Sequence, residues 1–218
     1  MEMPHNGEMS LVAYTQGTVL GPVLFVIYIN DLPSVVKSET YMFADDTKIF
    51  AKSKESNNSQ TIQDDLNNLQ LWSDTWLLKF HPEKCKVMSI GRTTNQQEDL
   101  YLYKQNEVGT METVNLQVVT SEKDLGIVID NKLQFGEHIQ EITKKANNIM
   151  GIIRRNVDHV DKETFTPLYK HLVRSHLEYG QPVWNPYLKK DIIQVESVQR
   201  NATIQVLGLS HLSYTERL

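Results

Sequence analysis

Thr40-Tyr-Met-Phe-Ala-Asp-Asp-Thr-Lys-Ile-Phe-Ala51 is the stretch on which the reading of this chain turns. Apolar Met42, Ala44, Ile49 and Phe50 surround Asp45-Asp46-Thr47, a pattern that predicts a hairpin whose two short strands flank an acidic tip. Two adjacent carboxylates at a tight turn repel each other, and a bound divalent cation offsets that repulsion. Hard Mg²⁺ (or Mn²⁺) favours such oxygens and shares its other positions with water and phosphate. Neighbouring residues on an extended strand face opposite ways, so one carboxylate binds metal more directly; the expectation is Asp45, with Asp46 assisting. The ordinary alternative is a solvated turn, since Asp is common in turns.

The flanks of this segment alternate between helix and strand signals. Upstream, the apolar run from Val19 to Leu32 places Pro22 where the first turn of a helix tolerates it and stops before Pro33, which predicts a buried helix. Downstream, Ser53 to Ser59 reads as a polar linker. Ile62, Leu66, Leu69, Trp72 and Trp76 then recur at spacings of four and three, predicting an amphipathic helix with its apolar face toward the hairpin. Pro82 ends that pattern. Cys85 to Ile90, Leu100 to Tyr103 and Leu125 to Asp130 read as strands. From Phe135 the period changes to 3.6, with Phe135, Ile139, Ile142, Ala146, Ile149 and Ile153 on one face. Further helices are expected from about Asp161 to Leu177 and from about Lys189 to Leu207, separated by Gly180, Pro182 and Pro186. The fold class expected is α+β, an antiparallel sheet with helices, followed by an all-helical part.

Composition narrows the function classes. With 218 residues and 40% hydrophobic residues the chain can build a core. A single cysteine, Cys85, excludes an internal disulfide framework and a cysteine-rich zinc site, and points to a reducing, intracellular setting, nucleus or cytoplasm. Met1 to Ser10 carries two glutamates and no basic residue, so no secretory signal is expected. The longest mostly apolar stretch, Val19 to Ile29, is far short of the roughly 20 residues that cross a bilayer. No membrane partner is expected. The formal charge of -5 divides into 10 basic against 18 acidic residues over 1–131 and 12 against 9 over 132–218. That division is compatible with a cation-binding centre beside a polyanion-binding element. The seven histidines show no metal spacing, and none is expected to be a ligand.

Taken in order, Gln16-Gly-Thr-Val-Leu-Gly-Pro22, Phe43-Ala-Asp-Asp46, Leu71-Trp-Ser-Asp-Thr-Trp76 and Lys84-Cys85 resemble the reverse transcriptase of jockey-like non-LTR retrotransposons. Asp124-Leu-Gly-Ile-Val-Ile-Asp130 and Lys145-Ala-Asn147 resemble later segments of that family, so the likeness covers nearly the whole chain. The resemblance implies a partial polymerase palm over 1–95, connecting strands over 96–131 and a helical thumb-like region over 132–218. It implies RNA-directed DNA polymerase activity: two metal ions activate the primer 3′-hydroxyl and stabilise the leaving pyrophosphate. The partners implied are an RNA template, a DNA primer and deoxynucleoside triphosphates.

By the same resemblance, Asp45 and Asp46 are the catalytic metal-binding pair, and Lys84 is a proton donor to pyrophosphate. Gln16, Gly17, Leu20, Gly21 and Pro22 help position nucleotide and template, and Phe43 packs beneath the primer end or nucleotide. Lys144, Lys145, Arg154 and Arg155, with Lys189 and Lys190, track the nucleic-acid backbone. The residues taken alone leave other readings open. A Gly-rich turn is often only a turn, an aromatic before a turn is equally a core residue, and lysines at strand ends and on helix faces are ordinary surface.

In the family another carboxylate comes from a strand well upstream of the Gln-Gly loop, whereas 15 residues precede Gln16 here and none is Asp. The expectation is a truncated polymerase without fingers or first catalytic strand, inactive or nearly so alone. Two other classes stay in view. One is a residual nucleic-acid-binding module using the basic helices. The other is an interaction protein in which the palm's apolar edge meets a partner chain.

Overall fold

The computed structural model describes residues 19–52, 58–91, 99–106, 109–157 and 161–217. The polar linker expected over Ser53–Ser59 falls mostly outside them. The chain divides into two compact units, one of Met1–Val87 with Asn95–Val118 and one of Met88–Thr94 with Val119–Leu218.

The first unit runs α1 (Gly21–Tyr28), a 3-10 turn (Leu32–Val35), β1 (Glu39–Phe43), β2 (Asp46–Phe50), α2 (Asn58–Trp76), a second 3-10 turn (Pro82–Lys84), β3 (Lys86–Val87), β4 (Tyr101–Gln105), β5 (Met111–Asn115) and β6 (Gln117–Val118). β1 pairs with β2 and β4 with β5, both antiparallel, while β3 pairs with β6 in parallel. α2 builds two cores from one apolar face. Leu69 and Trp72 pack with Ile29, Leu32, Phe25, Tyr28, Met42 and Ile49. Leu66 packs with Leu100, Leu102 and Leu116, and with half-buried Ile62, Cys85 and Val87. Ile49 of β2 touches both clusters, so the hairpin is seated against the middle of α2. The periodicity predicts this helix and its inward face; Trp76 at the end of the stripe is 41% exposed.

Two expectations for this unit need correction. The helix after Pro22 is not buried: it spans Gly21–Tyr28 and has no buried residue. Only the Phe25 and Tyr28 side, continued by Ile29, meets the core, while Val19, Leu20, Val23, Val26 and Ile27 are all more than half exposed. A run that is apolar all round gives no signal of which face turns inward. The strand expected over Cys85 to Ile90 shrinks to Lys86–Val87, because its partner β6 offers only Gln117 and Val118.

The second unit contains β7 (Ser121–Asp124) and β8 (Ile127–Asp130), an antiparallel pair, then α3 (Gly136–Asn156), α4 (Lys162–Leu168), a π-helical stretch (Tyr169–Arg174), α5 (Ser175–Glu178), α6 (Gln181–Trp184), α7 (Lys189–Ile204) and α8 (Tyr214–Arg217). Ala146, Met150 and Ile153 of α3 pack with Phe165, Val173, Leu177, Val198, Ala202 and Val206, and a smaller cluster joins Ile127, Ile139 and Trp184. Phe135 precedes α3 in the left-handed region at φ +57° and gives no side-chain cap. Asp130 ties down the loop that leads into the helix: its carboxylate accepts from the N–H groups of Lys132, Gln134 and Phe135. Burial pushes that carboxyl up, but these backbone donors outweigh it and hold the group below its usual range. Asp161 caps α4 by accepting from Thr164 N–H at 2.7 Å. The helix expected from Asp161 to Leu177 is continuous in outline but widens into the π stretch just after Pro167, which cannot supply a backbone donor. Gly180, at φ +64°, holds a conformation that favours glycine, and an added Cβ would lie 2.5 Å from Ile127 Cδ1, so a side chain there would be strained and would displace that isoleucine.

Candidate active site

The acidic hairpin forms with its turn one residue earlier than the sequence suggests. Ala44 and Asp45 are the two turn residues, and Asp46 already belongs to β2, paired with Phe43. Thr47 lies opposite Met42, so the tip carries one carboxylate and the ladder the other. Ala44 sits at φ +52°. That left-handed position costs a residue with a Cβ about 1–2 kcal/mol, and glycine is the usual occupant of such a hairpin turn. The strain is localised beside the acidic pair.

Strand alternation then sorts the hairpin into two faces. Thr40, Met42, Thr47 and Ile49 form the half-buried face, and Met42 and Ile49 enter the core. Tyr41, Phe43, Asp46 and Phe50 occupy the other. Phe43 is 62% exposed, which removes the reading of Phe43 as a core residue in this chain. Tyr41 and Phe50 meet edge to face with ring centroids 5.5 Å apart on that face. Asp45 and Asp46 are both exposed. An acidic pair bordered by solvent-facing aromatics is an unusual surface, because each exposed ring leaves apolar area in water that burial would stabilise by roughly 1.5–3 kcal/mol.

α1 begins at Leu20-Gly21-Pro22, with Leu20 at the N-cap position and its carbonyl accepting from Leu24 N–H at 3.0 Å. Gln16 and Gly17 lie outside the described residues. Phe25 and Tyr28 of α1 pack on the same cluster as Met42 and Ile49 of the hairpin. The Leu20–Pro22 segment and the acidic pair are thus borne by two elements seated on one core. Lys84 is exposed at the end of the second 3-10 turn, where its N–H donates to His81 carbonyl at 2.9 Å. Its neighbour Glu83 pairs instead with Lys104: the lysine holds the Glu83 carboxyl below its usual range, and Glu83 raises Lys104.

In the second unit Lys144, Lys145, Arg154 and Arg155 are all exposed on α3, and Lys189 and Lys190 are exposed at the start of α7. The fit to a metal is incomplete. Among the described residues no group of three or more His, Cys, Asp or Glu side chains comes together to hold an ion. Asp45 and Asp46 supply two carboxylates, and any further ligand has to come from elsewhere.

Sequence reasoning misses Asp65 and Gln63. Asp65 is fully buried, and both of its carboxylate oxygens accept backbone N–H groups just ahead of β1, from Lys37 at 2.8 Å and Ser38 at 3.0 Å. Gln63 engages both backbone groups of Tyr101, donating to its carbonyl and accepting from its N–H, each at 3.1 Å. A signal for Asp65 is present in the sequence, since the residue falls inside the apolar stripe between Ile62 and Leu69.

The comparisons agree with the family resemblance. The family described as "Reverse transcriptase (RNA-dependent DNA polymerase)" matches residues 10–129. The chain is 27% identical over 207 residues to the RNA-directed DNA polymerase from mobile element jockey of Drosophila melanogaster, covering 88% of this chain and 21% of that protein. It is 26% identical over 206 residues to the probable RNA-directed DNA polymerase from transposon BS of Drosophila melanogaster, covering 86% of this chain and again 21% of that protein. The probable polymerase from transposon X-element of the same organism is 22% identical over 204 residues, covering 88% of this chain and 21% of that protein. The chain therefore spans about a fifth of the length of the curated relatives it matches. No solved structure is significantly similar to it. Among the described residues no helix is long and apolar enough to cross a membrane.

Proposed function

The chain belongs to the reverse transcriptase (RNA-dependent DNA polymerase) family, and on that premise we propose that it supplies the palm's acidic hairpin and a thumb-like helical region to an enzyme that copies RNA into DNA. The domain division of the proposal is palm over 1–95, connecting strands over 96–131 and thumb-like region over 132–218. The observation that carries it is the hairpin: an acidic pair beside a strained turn, opposite an exposed Phe43, on the core that also seats α1. Asp45 and Asp46 are the residues assigned to Mg²⁺ (or Mn²⁺), whose chemistry when bound is to neutralise charge around transferring phosphates. The chain's own residues hold and orient. Gln16, Gly17, Leu20, Gly21 and Pro22 position nucleotide and template, Phe43 supports the primer end, and Lys84 faces pyrophosphate. Lys144, Lys145, Arg154 and Arg155 carry the RNA–DNA backbone. A protein partner at the palm's apolar edge, and a nuclear or cytoplasmic site of action, belong to the same proposal.

The test is replacement. Exchanging the matching segment of the jockey polymerase for this chain is expected to leave template-directed primer extension by the chimera, and Asp45→Ala in the chimera is expected to abolish it. A folded chimera that extends primers equally well with and without Asp45 would overturn the assignment.

The exposure of all four cations on α3 favours a second reading, a nucleic-acid-binding module that works without synthesis. It shares the phosphate contacts and dispenses with the acidic pair, so substitutions at Asp45 separate the two.

A further inference from the structure

The sequence pattern marks α2 as a packing helix, yet Gln63, Asp65 and Trp72 make polar contacts to four residues outside it in the same unit. Gln63 grips Tyr101 of β4. Trp72 donates its indole N–H to Asp31 Oδ1 at 3.0 Å, at the turn that follows α1. Asp65 accepts from Lys37 and Ser38, the two residues directly ahead of β1.

Of these contacts the one at Asp65 holds the chain directly ahead of the hairpin. Its side chain has no exposed surface, so the carboxylate's two acceptor oxygens are satisfied inside the protein by two consecutive N–H groups. Two hydrogen bonds to adjacent amides fix both the position and the direction of the chain as it leaves residue 38. From Glu39 the backbone is extended, so that direction sets where the turn at Ala44–Asp45 arrives and how its faces are rolled relative to α2. The packing of Met42 and Ile49 alone does not fix the roll to the same degree, because apolar contact is not directional.

The geometry points to Asp65 as a positioning residue for Asp45 and Asp46: by clamping the Lys37 and Ser38 amides it aims the acidic hairpin. This rests on the proposed role of the hairpin, and the two are tested separately. In the intact 218-residue chain, through-hydrogen-bond coupling between the Lys37 and Ser38 amide nitrogens and the Asp65 carboxyl carbon is expected by NMR. Asp65→Asn leaves one acceptor and turns an amide donor toward the other N–H. Amide hydrogen exchange across Thr40–Ile49 is then expected to accelerate at least tenfold, while the Tyr101 amide, held by Gln63, keeps its protection. Gln63→Ala is expected to do the reverse.

Broadening of the Asp45 and Asp46 signals by added Mn²⁺ is the spectroscopic readout of the hairpin's aim. It is expected in the parent chain and in Gln63→Ala and to be lost in Asp65→Asn. Absence of broadening in the parent overturns the metal reading of the hairpin and leaves the clamp to be judged on exchange alone. The clamp is overturned by absence of the coupling, by unchanged hairpin exchange in Asp65→Asn, or by loss of protection throughout the unit. That last result would make Asp65 a general anchor of the fold.

Discussion

Phe43 lies directly across the β1–β2 ladder from Asp46, on the hairpin face that turns away from the core. The pair separates two demands that usually conflict. The half-buried face of the hairpin holds it in place through Met42 and Ile49, and the open face carries an aromatic ring and a carboxylate that contribute little to that hold. Phe43→Ser is therefore expected to change the stability of the first unit by less than about 0.5 kcal/mol, the range of ordinary surface substitutions. Trp72→Ala, in the core on which the hairpin rests, is expected to cost about 3–5 kcal/mol. Urea unfolding followed by tryptophan fluorescence, with circular dichroism for the Trp72 variant, makes the comparison. A destabilisation of about 2 kcal/mol or more in Phe43→Ser, the scale of a buried aromatic, would mean that the ring is structural.

Ala44 holds the turn at a φ that suits glycine. Ala44→Gly is expected to stabilise the first unit by up to about 1 kcal/mol, the relief of left-handed strain less the extra freedom glycine brings to the unfolded chain. Ala44→Val is expected to destabilise by about 1–3 kcal/mol, since a β-branched side chain tolerates that conformation less well. The same unfolding experiment checks both signs. Equal stability of the three chains would show that the turn relaxes freely.

Much of this arrangement is legible in the sequence, and the parts that are not have a common cause. Period and punctuation disclose the hairpin, α2 and α3, because Met42, Ile49, Leu66, Leu69, Ile139 and Ala146 each fall where an inward face requires an apolar residue. The turn slips by one residue because Asp45 and Asp46 suit a turn equally well, and only strand pairing decides between them. α1 gives no facing signal because every side of it is apolar. The clamp by Asp65 and the burial of His138 and Thr143 escape a reading that treats polar residues as surface. Asp65 and His138 accept from distant backbone N–H groups and Thr143 from the Gln194 side chain, partners that no local pattern discloses.

The basic face of α3 makes a prediction that salt can read. A Lys144→Glu, Lys145→Glu double substitution is expected to weaken binding of an RNA–DNA hybrid about tenfold or more at moderate ionic strength. The slope of log affinity against log salt should flatten by roughly 0.9 for each phosphate that the variant no longer neutralises. Because both residues are exposed, the thermal stability of the second unit should be unaffected. Binding indifferent to both salt and substitution would remove the phosphate-tracking role from this helix.

The isolated 218-residue chain is expected to give no measurable primer extension on a primed RNA template with Mg²⁺ or Mn²⁺. The reason is geometric: among the described residues no group of three or more His, Cys, Asp or Glu side chains comes together, and in-line phosphoryl transfer depends on positioning for nearly all of its rate. Extension by the purified chain that disappears in Asp45→Ala would show that this polypeptide holds a complete centre.

The pH dependence of the second unit follows from His138. This imidazole is buried, its Nδ1 accepts from Val128 N–H at 3.3 Å, and its ring meets Trp184 edge to face at 5.4 Å. Nε2, which then carries the proton, has no partner among the described residues. Burial holds the group below the usual histidine range. Glu141 pulls it up and Lys123 pushes it down, and those two are themselves ion-paired at 2.9 Å. A histidine depressed in the folded state binds its proton more readily once unfolded, so stability is fully present above the unfolded value of about 6.5 and is lost as pH falls below it. Asp130 acts in a lower window: its folded carboxyl is depressed, so its contribution is present above the ordinary Asp range and disappears as pH falls through its folded value. Resistance of the second unit to thermal unfolding is therefore expected to weaken over a first interval as pH falls below about 6.5 and over a second below about pH 4. His138→Phe should flatten the first interval and leave the second, even though the unpaired Val128 N–H lowers its stability at every pH by about 1–3 kcal/mol. An unchanged slope across the first interval in His138→Phe would assign that decline to other groups.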